Sequence, residues 1–246
     1  ADSIGTAAEV IRRGDAVAMI AGGAEGAVTR MSIAAFANSR ALSRNNDPAT
    51  ASRPFDRDRD GFVLGEGSGI LILEDQEHAE RRGANIICEF RGYGQSADAF
   101  HITQPSEQGE GAARAMNIAL AKAQISPSDV DYINAHGTST HLNDKFETLS
   151  IKSVFGEQAY SVPISSTKSM VGHTLGAAGG IEAVVTALSI KDDIIHPTVN
   201  LDNPDQDCDL DYVANESRTT SVNIAMTNSL GFGGHNSSLI FSKYLG

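Results

Sequence analysis

Cysteine is scarce in this chain, with only Cys88 and Cys208 among 246 residues. Two thiols make neither a disulfide framework nor a zinc site. Cys88 stands in the strand-like run Ile86-Ile87-Cys88-Glu89-Phe90 and reads as a small packed hydrophobe. Cys208 stands among Asp205, Asp207, Asp209 and Asp211. Those carboxylates raise a thiol pKa rather than activate it. Both cysteines fit a reducing cytoplasm. Basic clusters are missing too. There are 19 Lys and Arg against 31 Asp and Glu, a net charge of −12, and no dense basic run. A surface that tracks phosphates needs one, so nucleic acid is not an expected partner. No uninterrupted apolar run reaches the roughly 18 residues of a membrane span. The start, Ala1-Asp2-Ser3-Ile4-Gly5, has no initiator Met and no basic-then-apolar leader. It reads as the inside of a longer chain.

What is present is glycine, 24 residues of it, in clusters that suggest tight turns and close backbone approaches. Apolar spacing predicts a helix over 3–13, with Ile4, Ala7, Ala8 and Ile11 on one face. Ala16–Ala21 and Gly69–Glu74 are short continuous apolar runs, expected as strands buried on both faces. Residues 38–60 are polar and irregular, and 75–82 form a polar helix. A strand near 86–94 precedes a helix at 110–123, with Ala112, Ala115, Met116, Ala119 and Leu120 inward. Strands are expected at 130–134, ending at 165, at 222–228 and at 238–241, and helices at 144–155 and 181–190. Alternating strands and helices predict a layered α/β fold.

Three loops concentrate the chemistry. Asn134-Ala135-His136-Gly137-Thr138-Ser139-Thr140 follows a strand. Ser165-Ser166-Thr167-Lys168-Ser169-Met170-Val171-Gly172-His173 puts a lysine and a histidine five residues apart in a loop. Asn228-Ser229-Leu230-Gly231-Phe232-Gly233-Gly234 is a glycine-flanked aromatic turn. Positions just past strand ends are where ligand sites of such sheets gather. Other motifs are set aside. Gly65-Glu66-Gly67-Ser68-Gly69 leads into a strand, not the helix of a dinucleotide loop. Thr167-Lys168-Ser169 lacks the glycines of a P-loop. His136 and His141 miss the i, i+4 spacing of a zinc helix, and Asp144 and Glu147 are expected to complement their helix N-terminus. Two imidazoles can supply neutral Nε2–H donors to an enolate oxygen, and a nearby lysine biases an imidazole toward neutrality.

These loops resemble the condensing enzymes of the thiolase superfamily, and most of all the elongating β-ketoacyl-acyl carrier protein synthases of type II. Ser52-Arg53-Pro54-Phe55-Asp56, Arg59–Gly67 and Pro197-Thr198-Val199-Asn200-Leu201 extend the resemblance over essentially the whole chain. It implies a five-layered αβαβα fold in two similar halves, with residues 1–84 finishing the first and 85–246 forming the second. It implies a decarboxylative Claisen condensation in fatty acid elongation. His136 and His173 would bind the malonyl thioester carbonyl, Lys168 would stand beside them, and Phe232 would be the gate with its N–H in the oxyanion hole. Thr103, Thr138 and Thr140 would line the pantetheine tunnel. Glu182 would be a buried acid near the lysine. Asn134, Glu182, Asn228 and Ser229 could form a monovalent-cation site. No other cofactor is implied, because phosphopantetheine arrives on the acyl carrier protein. A homodimer is expected. Two positions depart from the family pattern: His141 replaces a frequent proline and Leu230 a frequent phenylalanine.

Such enzymes use a cysteine nucleophile, which is expected a few residues upstream of Ala1 at a helix N-terminus that lowers its pKa. Two alternatives stay open on the sequence. One is a cysteine-less partner subunit that sets chain length. The other is a malonyl decarboxylase without condensation.

Overall fold

In the computed structural model, which describes residues 1–246, helix α1 (Asp2–Arg12) forms where the apolar spacing places it and buries Ile4, Ala7 and Ala8. Strand β1 (Ala18–Glu25), helix α2 (Arg30–Asn38), strand β2 (Gly67–Glu74) and helix α3 (Gln76–Arg81) follow. Asp75 caps α3 by accepting the His78 N–H at 3.0 Å. Then come β3 (Glu89–Ala97), α4 (Glu110–Ala123), β4 (Tyr132–Asn134), α5 (His141–Phe155) and β5 (Ile164–Ser165). The chain closes with α6 (Lys168–Val171), α7 (Ala178–Asp192), β6 (Ile194–Ile195), β7 (Arg218–Thr219), β8 (Ile224–Gly231) and β9 (His235–Ser242).

The main sheet has the order β3-β9-β8-β4-β5. Strand β4 runs parallel to β5 and β8, while β9 is antiparallel to β8 and β3. Side chains alternate across this sheet and sort into two cores. Tyr132, Ala225, Leu239 and Phe241 face α1 and α7, meeting Ile4, Ala183 and Ile190. Ile133, Met226 and Ile240 face α4 and α5, meeting Met116, Leu120 and Ile151. A second sheet, β1 paired antiparallel with β2, lies on the other side of α1 and α7. The layers are therefore small sheet, helices, large sheet, helices.

Close approach fixes the middle layer. A Cβ at Gly69 would come within 2.2 Å of the Gly180 carbonyl carbon, and one at Gly180 within 2.3 Å of the Gly69 oxygen. The glycines let the start of α7 lie directly on β2, which sets the depth of the loop just before it.

The strands of the small sheet differ from the sequence expectation. They are covered on one face only, and Ile20, Ile70 and Ile72 point outward at 77%, 51% and 72% exposure. A continuous apolar run looks the same whether one face or both are covered. Helix α2, which buries none of its residues, has no counterpart in the spacing argument. Lys168 is also not in a loop, because it opens the single turn of α6.

Candidate functional site

Strand β4 ends at Asn134, and the chain turns sharply through His136 and Gly137. Gly137 has φ 39°, and a Cβ there would sit 2.6 Å from the Ser166 Cβ, so this turn requires glycine. Glu147 on α5 holds the turn in place. Its two oxygens accept the His136 and Gly137 N–H groups, each at 2.8 Å. Glu147 is buried, and that burial pushes its carboxyl up to about 7 while the two N–H donors pull it down. Asp144, one turn earlier, is also buried, accepts the Phe55 N–H at 2.9 Å and pairs with Arg59 at 3.2 Å. Asp144 stands in the first turn of α5 as the sequence leads one to expect, while Glu147 lies beyond it and turns to the His136 loop instead. An acid near a helix start reads as a dipole partner; only the fold shows it turned inward.

His173 reaches the same place from the loop after α6. Its N–H donates to the Val63 carbonyl at 2.7 Å, and its carbonyl accepts the Gly65 N–H at 3.0 Å. The Phe62–Gly65 run thus clamps His173, and the Phe62 ring meets the imidazole edge-on at 5.1 Å. The rings of His136 and His173 stand 5.2 Å apart at 86°.

Both proton positions follow from the donors. Lys168 Nζ donates to His136 Nδ1 at 3.1 Å, and the Leu175 N–H donates to His173 Nδ1 at 3.2 Å. Each imidazole therefore carries its proton on Nε2. Burial, then the Lys168 charge, drives the His136 pKa well below the ordinary value. The same two causes lower His173 to about 3. Both rings are neutral donors at neutral pH. Lys168 is buried behind His136, with its ammonium paired to the buried Glu182 on α7. Its turn is held further by Ser52, whose hydroxyl donates to the Lys168 carbonyl at 2.7 Å.

A cavity of about 640 Å³ opens in front of the two histidines. His136, His173, Phe232, Thr103, Thr138 and Thr140 line it. Phe232 tops the β8–β9 hairpin and is 54% exposed. Gly233 and Gly234 follow with φ of 81° and 78°. The Gly233 N–H donates to the Ile102 carbonyl and the Asp98 N–H to the Gly234 carbonyl, both at 2.8 Å. These bonds tie the segment carrying Thr103 to the Phe232 turn. Thr138 and Thr140 share a hydroxyl bond at 2.8 Å. Ala1 and Asp2, at the start of α1, lie on the wall of this same cavity.

The four residues grouped for a cation do not all come together. Asn134 and Glu182 meet, the Asn134 amide donating to the Glu182 carbonyl at 3.4 Å. Ser229 faces α7 beside Gly179. The Asn228 side chain points through the other face, its amide donating to Met116 Sδ on α4 at 3.5 Å and its oxygen accepting from Ser238 at 2.8 Å. Strand alternation puts neighbours 228 and 229 on opposite faces, so the Asn228 side chain leaves the set. Glu182 Oε2 and Ser229 Oγ are both buried without a hydrogen-bond partner, as are the Thr227 and Ser237 hydroxyls. No group of three or more His, Cys, Asp and Glu residues is arranged to hold a metal ion. Burial raises the thiols of Cys88 and Cys208 to about 12, so neither is an activated nucleophile. No helix is long and apolar enough to cross a membrane.

Residues 1–79 match the beta-ketoacyl synthase N-terminal domain and residues 87–202 the beta-ketoacyl synthase C-terminal domain. The 3-oxoacyl-[acyl-carrier-protein] synthase 2 of Staphylococcus aureus is 56% identical over 99% of the chain. The protein of the same name from Synechocystis is also 56% identical over 99% of it. The chain spans 59% of the length of each of these relatives. Among solved structures, a ketosynthase in complex with its type II polyketide acyl-carrier protein superposes with TM-score 0.97 at 45% identity, over 99% of this chain and 60% of that one. A beta-ketoacyl synthase from Burkholderia phymatum gives 0.94 at 43% identity, over 99% and 59%. The fold is that of the thiolase-like ketosynthases, and with domain matches on both sides of residue 80 the chain belongs to the β-ketoacyl synthase family.

Proposed function

We propose that this chain is the C-terminal part of an elongating 3-oxoacyl-acyl carrier protein synthase, which condenses malonyl-acyl carrier protein with an acyl-enzyme thioester. The observation that carries this reading is the pair of neutral Nε2–H imidazoles converging on one cavity. A malonyl thioester that loses CO2 leaves its electron pair on the α-carbon, and negative charge develops on the thioester oxygen. Two fixed neutral donors stabilise that oxygen without having to reorganise. Charged imidazolium groups would instead bind the substrate carboxylate tightly and oppose its departure. Lys168 holds the His136 proton on the cavity side, and Glu182 balances the lysine charge.

The α-carbon then attacks the acyl thioester. A C–C bond forms, the C–S bond to the enzyme thiol breaks, and the thiolate is released. In this reading the thiol belongs to a cysteine at the N-terminal end of α1, where Ala1 and Asp2 already line the cavity. Helix N–H groups there favour a thiolate. The Phe232 N–H serves the oxyanion of the tetrahedral intermediate, with glycine on both sides allowing close approach. Thr103, Thr138 and Thr140 receive the pantetheine arm. A monovalent cation bound by Glu182 and Ser229 would offset the unpartnered carboxylate oxygen.

The partner is an acyl carrier protein, with Arg40 and Arg44 as its docking charges. Arg40 lies on the cavity wall, and both side chains are exposed. The functional unit is a homodimer, with residues 1–84 and 85–246 as parts of the two halves of each protomer. A chain of the ishigamide ketosynthase/chain length factor superposes with TM-score 0.93 at 40% identity, over 99% of this chain and 58% of that one. Retention of His136, His173 and Lys168 favours the catalytic role over the partner role.

The test uses the full-length enzyme with malonyl- and acyl-carrier protein. CO2 release coupled to a product two carbons longer supports the reading. CO2 release without elongation would make it a decarboxylase, and neither would make it a partner subunit.

A further inference from the structure

Behind the catalytic loops lies a third histidine that the mechanism above does not use. His196 follows β6 and is half-buried. Its Nδ1 lies 3.0 Å from the Pro197 carbonyl oxygen, which can only accept, so Nδ1 carries a proton. In the neutral ring Nε2 is then a bare acceptor. Burial keeps this imidazole below its ordinary pKa, which favours that form. Three hydroxyls surround Nε2: Tyr132 and Thr167 at 3.1 Å and Ser165 at 3.3 Å.

A bare Nε2 gives the hydroxyl protons around it an acceptor to point toward. The Asn134 amide nitrogen donates to Thr167 Oγ1 at 3.0 Å, and the single Thr167 proton has two acceptors in reach, Asn134 Oδ1 at 3.2 Å and His196 Nε2 at 3.1 Å. Tyr132 and Ser165 share a bond at 2.8 Å within the same cluster. Asn134 stands two residues before His136 on β4. Thr167 is bonded directly to Lys168. The cluster therefore joins the two strand ends that deliver the His136–Lys168 pair. The segment after His196 grips the same turn: Thr198 accepts the Ser166 N–H and the Val199 N–H donates to Ser169, both at 3.1 Å.

We propose that His196 is a positioning residue: its Nε2 is the terminal acceptor of an Asn134–Thr167 relay that sets the His136–Lys168 geometry. A histidine that merely fills space would tolerate an apolar residue of similar size. A terminal acceptor would not, because without Nε2 the Thr167 proton turns back to Asn134 Oδ1 and the relay loses its direction. Small displacements of reacting groups are magnified in turnover.

The proposal rests on the condensing reading for its kinetic readout, so one arm is independent of activity. Full-length enzyme labelled with 15N at histidine is expected to show His196 as the Nδ1–H tautomer, and an Nε2–H tautomer would overturn the relay whatever the enzyme does. In the kinetic arm, His196→Leu is expected to lower kcat for CO2 release by about tenfold or more with KM for the malonyl thioester within about twofold. His196→Gln, whose oxygen can accept near the Nε2 position, is expected to stay within about threefold of the parent. Equal losses in both variants, or no loss in His196→Leu, would overturn it. Thr167→Val is expected to reduce kcat similarly and to add little to His196→Leu, whereas additive losses would mean two independent sites. If His196→Leu does not fold, the tautomer and the Gln–Val pair still decide. If the parent releases no CO2, the condensing reading fails and the tautomer alone tests the relay.

Discussion

Lys168 Nζ stands 3.1 Å from His136 Nδ1 while its charge is balanced by Glu182. One side chain thereby sets where the His136 proton lies and holds that imidazole neutral. In the full-length enzyme, Lys168→Ala is expected to lower kcat strongly with a smaller change in KM. The sign of the pH effect follows from the cause. The lysine charge depresses the His136 pKa, so its removal lets that pKa rise. The acid limb of the kcat profile should move to higher pH. A profile superimposable on the parent would refute the coupling.

On the proposed mechanism, His136→Ala and His173→Ala would each remove one donor to the enolate. A positioned oxyanion donor contributes about 3–4 kcal/mol to the transition state, or roughly 10²–10³ in rate. CO2 release should fall by that factor in either variant, while acylation of the nucleophile stays measurable. The two steps are assayed separately with malonyl and acyl donors. Near-normal CO2 release from either variant would remove that histidine from the site.

Glu147 does not line the cavity, yet it holds both N–H groups of the turn that presents His136. In Glu147→Gln the amide oxygen can accept one N–H, and the amide nitrogen then faces the other. One buried donor left without an acceptor costs about 1–3 kcal/mol. Denaturant unfolding should register a loss of that size, with malonyl turnover reduced as His136 drifts. Unchanged stability would mean that water fills the gap.

His173 also makes stability depend on pH. Its folded-state pKa of about 3 lies below the ordinary 6.5. The unfolded chain therefore binds a proton more readily between those values, and the stabilising contribution is complete above 6.5 and is lost as pH falls toward 3. Against His173→Gln, the parent should lose up to about 1.4 kcal/mol per pH unit below 6.5. Parallel unfolding free energies from pH 7 to pH 5 would show that the imidazole takes up its proton normally.

Much of this architecture is legible in the chain itself. Ala112, Ala115, Met116, Ala119 and Leu120 repeat at helical spacing, and α4 has the bounds 110–123 that this spacing implies. The three glycine-rich loops are recognisable because tight turns restrict which residues they accept. Other features depend on what lies across the fold. The apolar runs of β1 and β2 do not reveal that Ile20 and Ile72 face outward. Glu147 looks like a helix-end charge until α5 is packed against the His136 turn. Asn228 belongs beside Glu182 by motif, and strand alternation turns its side chain to α4. Phe62 is visible only as part of a motif, and its edge contact with His173 needs the loop and the strand end side by side.

The last prediction concerns the carrier protein. This chain carries −12, and a strongly acidic partner would be repelled by the molecule as a whole. Docking then requires local positive charge at the cavity mouth. Arg40 meets that requirement, with its backbone at φ 59° beside the opening, and Arg44 follows four residues later with its backbone N–H held by Asp60 at 2.9 Å. Arg40→Glu with Arg44→Glu should raise KM for carrier-protein substrates about tenfold or more, equivalent to about 1.4 kcal/mol. Small pantetheine thioesters need no docking, so their kinetics should change little. Added salt should weaken the parent's carrier-protein reaction and narrow its gap from the variant, because exposed charges are screened over about 10 Å at 0.1 M. An equal loss on both substrate types would instead assign the arginines to the fold. No loss on either would place the docking charges elsewhere in the enzyme.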